Sequence, residues 1–80
     1  MPKLKHLSGK EVVVFCEQLG FSISRQRGSH VNLLREVNGH KQVVTIPNHK
    51  EMDRGTLHGI FKKLSLFVPE ADLKKLFYTE

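Results

Sequence analysis

The sequence predicts an α+β fold: a three-stranded antiparallel sheet with its helices packed on one face. Three observations lead there. Apolar residues recur at helical spacing early and late in the chain, the first set behind a capping box. Between the two sets the apolar period shortens to two, the spacing of a strand with one face buried. Asn38-Gly39 lies among the alternating residues and is a strong two-residue hairpin signal. The predicted order is α-β-β-β-α-α, and burying every stripe on one side of a small sheet is the economical arrangement.

Each element has its own signal. Ser8-Gly-Lys-Glu11 has capping-box form, Val12, Phe15, Cys16 and Leu19 make one helical stripe, and Gly20 suits the left-handed position after a helix. The first helix therefore covers roughly residues 9–19. In FSISRQ, Phe21 and Ile23 alternate with serines, which predicts a half-buried strand, and Arg27-Gly28 marks the following turn. The second strand runs from about Ser29 to Glu36. The third, QVVTIP, ends at Pro47, which cannot donate to a ladder. After a polar loop, Leu57, Ile60, Phe61 and Leu64 define a second helix over roughly residues 53–64. Pro69 fits the first turn of a short third helix carrying Leu73, Leu76 and Phe77.

Eighty residues suit one domain. A chain of this size buries roughly 60–65% of the surface its unfolded form exposes, so the core is modest. A surface site acting on a large substrate fits that core better than a deep pocket. The lone Cys16 excludes an internal disulfide framework and a multi-cysteine zinc site, and at an apolar helical position it reads as a small hydrophobe. No apolar run spans a bilayer and the N-terminus has no apolar signal region, so the expectation is a cytoplasmic protein that does not engage membranes. The net charge of +5 is unevenly placed: residues 1–50 hold eight Lys/Arg against three Asp/Glu, residues 51–80 five against five. A basic sheet-side surface attracts polyanions, nucleic acid first among them.

His30 stands where a turn meets a strand, beside Arg25, Arg27, Gly28 and Ser29. If Val31 and Leu33 face the helices, period two sends His30, Asn32 and Leu34 to the open face. The opposite register would bury His30 and Asn32, at a cost unless both were hydrogen-bonded, so the first is favoured. An exposed imidazole can act as general base or acid at neutral pH. On RNA it can take the proton of a ribose 2′-hydroxyl, whose oxygen then attacks the adjacent phosphate. Arg25, Arg27 and Lys50 are candidates to stabilise the phosphoryl charge, and Ser29 can donate a hydrogen bond. A lone histidine after a turn is more often just a polar side chain in solvent. His49, in PNHK, lies near His30 if the strand ends align and is a candidate accessory group, although loop solvation is the better reading. His6, His40 and His58 read as solvated. No histidine spacing matches a zinc site, and the chemistry needs no cofactor. Gly55-Thr56 offers backbone N–H groups at a helix start, with a plain helix start the slightly better reading.

GSHVNLLR followed by VTIPNHKEMDRGTLHGIFKKL resembles the HicA (YcfA-like) messenger-RNA interferases, toxins of toxin–antitoxin pairs. The resemblance runs from about Ser8 to Leu66, and its most specific parts are Gly28-Ser29-His30, Pro47 with His49, and Gly55-Thr56-Leu57. It implies a double-stranded-RNA-binding-like α-β-β-β-α fold over a core of about residues 8–66, with residues 67–80 as a helical extension of a single domain. It further implies metal-independent endoribonuclease activity on messenger RNA, His30 as the catalytic residue, and a HicB-like antitoxin that covers the site in a hetero-oligomer. Leu34, apolar on the open face, is then a candidate antitoxin contact. Two other readings stand beside this one: a non-catalytic RNA-binding module on the same surface, and an interaction protein whose basic face docks an acidic partner.

Overall fold

The first helix, α1 (Gly9–Gln18), starts behind a complete capping box in the computed structural model, which describes residues 3–79. Met1, Pro2 and Glu80 of the expected 1–80 domain lie outside the described residues. Ser8 Oγ accepts from the Glu11 N–H at 3.1 Å, and a Glu11 carboxylate oxygen accepts from the Ser8 N–H at 3.0 Å. Two donors at the helix start are thus satisfied reciprocally. Val12, Val13 and Cys16 are buried beneath the helix, and Gly20, at φ 101°, takes the left-handed conformation that turns the chain away.

The strands β1 (Ser22–Arg27), β2 (His30–Val37) and β3 (His40–Pro47) form one antiparallel sheet in the order β1-β2-β3. Asn38 and Gly39 both have positive φ, 52° and 79°, as a type I′ hairpin requires. The favoured register of β2 is the one observed: Val31 and Leu33 are buried beside Val44 and Ile46 of β3.

The expectation for β1 needs correction. All six of its residues are exposed, and Ile23, though opposite the fully buried Leu33, keeps 51% of its surface in solvent. Only Phe21, just before the strand, enters the core; its N–H donates to Cys16 O at 3.1 Å. β1 is an edge strand beyond the cover of the helices, and the pairing slips between Ile23 and Arg25, the mark of a β-bulge.

The second helix, α2 (Arg54–Leu64), buries the predicted Leu57, Ile60, Phe61 and Leu64. The third, α3 (Glu70–Phe77), begins one residue later than the sequence suggested: Pro69 is its N-cap, not part of its first turn. Leu73 and Phe77 are fully buried in the same apolar cluster as the sheet and α1. Phe77 meets Phe15 and Phe61 edge to face, with ring centroids 6.2 and 5.6 Å apart.

His6 is exposed, as expected, while the main chain around it is held in place. Leu4 bridges Tyr78, the Lys5 N–H donates to Phe77 O at 2.7 Å, and the Thr79 N–H donates to Lys3 O at 2.8 Å. His6 Nδ1 lies 3.1 Å from a Glu51 carboxylate oxygen, but both side chains are exposed and such a pair adds little stability.

Arg35, unremarked in the sequence, clamps the architecture. Its guanidinium donates to Gln42 Oε1 at 2.8 Å, to Leu19 O at 2.9 Å and to Phe67 O at 3.2 Å, and lies 5.0 Å over the Phe21 ring. It thereby joins the end of α1, the approach to α3 and the sheet. Truncation would leave the Leu19 carbonyl at the end of α1 and the Phe67 carbonyl of the α2–α3 connection without their charged donor, so Arg35→Ala is expected to cost about 2–4 kcal/mol in urea unfolding. A loss below about 0.5 kcal/mol would mean the clamp is solvated rather than structural.

Candidate functional site

Gly28 and Ser29 form the two-residue turn between β1 and β2. Gly28 takes φ 55° and Ser29 has no positive φ, which matches a II′ hairpin with glycine at its first central position. The turn delivers His30 as the first residue of β2, opposite Arg27 on one side and Pro47 on the other.

Directly opposed residues of an antiparallel sheet share a face and lie about 5 Å apart at Cβ. Because Val31 and Leu33 are buried, the open face carries His30, Asn32 and Leu34 from β2. Arg27 stands across from His30, and Arg25 across from Asn32. From β3, Thr45 lies opposite Asn32 and its hydroxyl is 2.7 Å from Asn32 Oδ1, while Val43 lies opposite Leu34. The open face is therefore graded, with imidazole and two guanidinium-bearing residues at the turn end and a small apolar pair farther along. Leu34, expected to be exposed, is half-buried there.

The bulge in β1 produces this grading. A strict period of two from Phe21 and Ile23 would send Arg25 and Arg27 to the helix side. Ser24 is the extra residue, set in place by a bond from its hydroxyl to Asn32 O at 3.2 Å, and it shifts the alternation so that both arginines turn to the open face.

The loop after β3 abuts the same end of the sheet. The Asn48 N–H donates to Ser29 O, and the His49 N–H donates to Pro47 O at 3.0 Å. His49 and Lys50 follow, both exposed. Of the residues singled out in the sequence, the fold thus sets Arg25, Arg27 and His30 on one face with Gly28 and Ser29 at its rim. His49 and Lys50 join that end through the main chain.

Gly9 holds the loop from below. Its N–H donates to His49 O at 2.8 Å, and a Cβ on it would run into Pro47 O and lie 2.7 Å from Asn48 Cα. Those obstacles are backbone and cannot swing aside. Gly9→Ala is expected to cost about 1–3 kcal/mol and to move the Asn48 and His49 amide resonances. Unchanged stability and unchanged resonances would show that the loop has room to give.

The start of α2 is already occupied by a carboxylate. Asp53 caps the helix, accepting from the Thr56 N–H at 2.7 Å. That bond, with further help from the Thr56 side chain and from His49 nearby, holds the Asp53 carboxyl below its ordinary range. The Gly55-Thr56 donors therefore serve the chain's own cap, as the plainer reading of the sequence had it. Burial, with Glu17 adding to it, pushes the Cys16 thiol up to about 12, so it stays protonated at neutral pH and is no nucleophile. Among the described residues, no group of three or more His, Cys, Asp or Glu is placed to hold a metal ion.

Sequence reasoning missed three contributors: the Ser24 bulge, the Asn48 main-chain bond and the Arg35 clamp. Only the first left a trace, in the adjacent polar Ser24-Arg25 that ends the apolar alternation.

Compared with known protein families, residues 9–66 match the model of one described as HicA toxin of bacterial toxin–antitoxin. No curated protein and no solved structure matches the chain.

Proposed function

The chain belongs to the HicA toxin family of bacterial toxin–antitoxin systems, and on that premise we propose that it is an endoribonuclease cleaving messenger RNA on the open face of its sheet. The observation that carries the reading is the exposed His30 set directly across from Arg27, with Arg25 one cross-strand pair away. The scaffold is read as double-stranded-RNA-binding-like.

In this mechanism the guanidinium groups of Arg25 and Arg27, with Lys50 from the loop, draw the phosphodiester backbone onto the turn end of the face. His30 takes the proton from a ribose 2′-hydroxyl. The 2′-oxygen attacks the adjacent phosphorus, forming a 2′,3′-cyclic phosphate as the bond to the 5′-oxygen breaks. The cations stabilise the negative charge that builds on the phosphoryl oxygens, and Ser29 at the rim donates a hydrogen bond to them. The departing 5′-oxygen receives a proton, for which His49 is the candidate donor because its loop borders the same end of the sheet. The route calls for no metal and no cofactor.

Family membership implies an antitoxin partner. A HicB-like antitoxin would neutralise the protein by lying across the open face, with the Leu34–Val43 pair as its apolar foothold beside the basic turn, in a hetero-oligomer. No helix among the described residues is long and apolar enough to cross a membrane, and messenger RNA as substrate places the activity in the cytoplasm.

The test uses a defined single-stranded messenger fragment in EDTA, beside the same fragment with 2′-deoxyribose at the mapped cleavage site. Cleavage of the first to a 2′,3′-cyclic phosphate end, and none of the second at that position, is expected. Equal cleavage of both would eliminate attack by the 2′-hydroxyl. Binding of both without cleavage would leave an RNA-binding module.

A further inference from the structure

The outer edge of β3 is an unpaired strand beside a groove, and the groove contains a glycine that the protein's own packing does not require. Two observations fix which backbone groups point outward. The Asn48 N–H donates to Ser29 O, and the two-residue Asn38-Gly39 turn closes on the Val37–His40 pair. Both place His40, Gln42, Val44 and Ile46 in the bonded pairs with β2. Lys41, Val43 and Thr45 therefore direct their N–H and C=O groups away from the sheet. β1, the other edge, is bulged, which discourages strand addition there.

Alongside the β3 edge runs an open groove between Val43 and Thr45 on the strand and Thr56, Gly59, Ile60 and Lys63 on α2. Those helix positions follow the spacing of one face. Glycine is the worst helix former short of proline, yet Gly59 sits within α2. A Cβ added to it would meet nothing within 4 Å, so nothing in this chain demands the glycine. A glycine without an internal reason, facing a groove, is what close approach by another backbone requires.

We infer that the β3 edge and the α2 groove form a docking site for an extended, acidic segment of a partner polypeptide, added as a fourth strand beside Lys41–Thr45. The edge alternates donors with acceptors, as an extended peptide does. A phosphodiester chain offers mainly acceptors and would leave the outward carbonyls unmatched. A second copy of this chain would bring another net charge of +5 to an edge that already carries Lys41 with Lys63 beside it. Main-chain bonds supply affinity in this mode and alternate side chains supply selectivity. Acidic residues of the added strand meet the two lysines, and small or β-branched ones pass over Gly59. The site runs along the β3 edge, where Val43 and Thr45 also border the open face, and its occupation does not depend on RNA cleavage.

The experiment is amide hydrogen exchange by NMR on the full chain, alone and with the blocked peptide Asp-Glu-Val-Glu-Ile-Glu-Val-Asp up to about 1 mM. Expected are at least about tenfold slower exchange at Lys41, Val43 and Thr45 and shifted resonances at Gly59 and Lys63. Gly59→Gln, which favours the helix and fills the groove, should weaken the peptide at least about tenfold. Val43→Pro removes one outward N–H without touching a bond to β2 and should abolish the protection. Absence of protection overturns the proposal, as does undiminished binding by Gly59→Gln. Protection of the edge by an RNA oligonucleotide instead of the peptide, or concentration-dependent protection in the protein alone, would overturn it in favour of RNA or of a second copy.

Discussion

His30→Ala is expected to lower the rate of RNA cleavage by about 10²–10⁴-fold, the usual worth of a positioned acid–base group. RNA affinity should change by less than about threefold, because the proposed mechanism draws its phosphate contacts from Arg25, Arg27 and Lys50. The side chain is exposed on the open face, so its removal opens no cavity and should leave the circular dichroism spectrum unaltered. Arg27→Ala should behave differently, weakening binding and lowering the salt slope by about one. Cleavage undiminished in His30→Ala would move the chemistry to another group, with His49 next to be replaced. Affinity falling in step with cleavage would make His30 a binding residue rather than a catalytic one.

Phe77→Ala should cost about 3–5 kcal/mol in urea unfolding. Phe77 is the largest fully buried side chain, and it packs edge to face against Phe15 of α1 and Phe61 of α2. Removing the ring takes away aromatic contacts from two helices and leaves a cavity that the surrounding core closes only in part. A chain of this length typically has about 4–12 kcal/mol of total stability, so the loss would consume a large part of it. A change below about 1 kcal/mol would mean that α3 is an appendage whose detachment leaves the sheet and its two covering helices intact.

These results weigh differently on what the sequence made legible. The helices were readable because Val12 and Cys16, or Leu57, Ile60 and Leu64, repeat at a spacing that only a helix puts on one side. The β2 register was readable because the opposite choice buried an imidazole and an amide. The face occupied by Arg25 and Arg27 was not readable from alternation, because one extra residue at Ser24 reverses the alternation after it. Arg35 escaped for another reason. Its neighbours Leu34 and Glu36 give no hint of a structural role, and its partners Leu19 O and Phe67 O are carbonyls, invisible in any residue pattern. His30 and its turn were legible as a location. The chemistry proposed for them rests on the arrangement of neighbours, which only the fold supplies.

The bridge between Leu4 and Tyr78 has a consequence in time. In a growing chain Leu4 emerges long before its partner, which is made more than seventy residues later. The sheet, by contrast, pairs strands that are neighbours in sequence and can form as soon as β3 is out. The segment around Leu4 is therefore among the last to settle. Until residues 77–79 arrive, Leu4 has no bridge partner, and Phe15 and Phe61 lack the ring that packs edge to face against both.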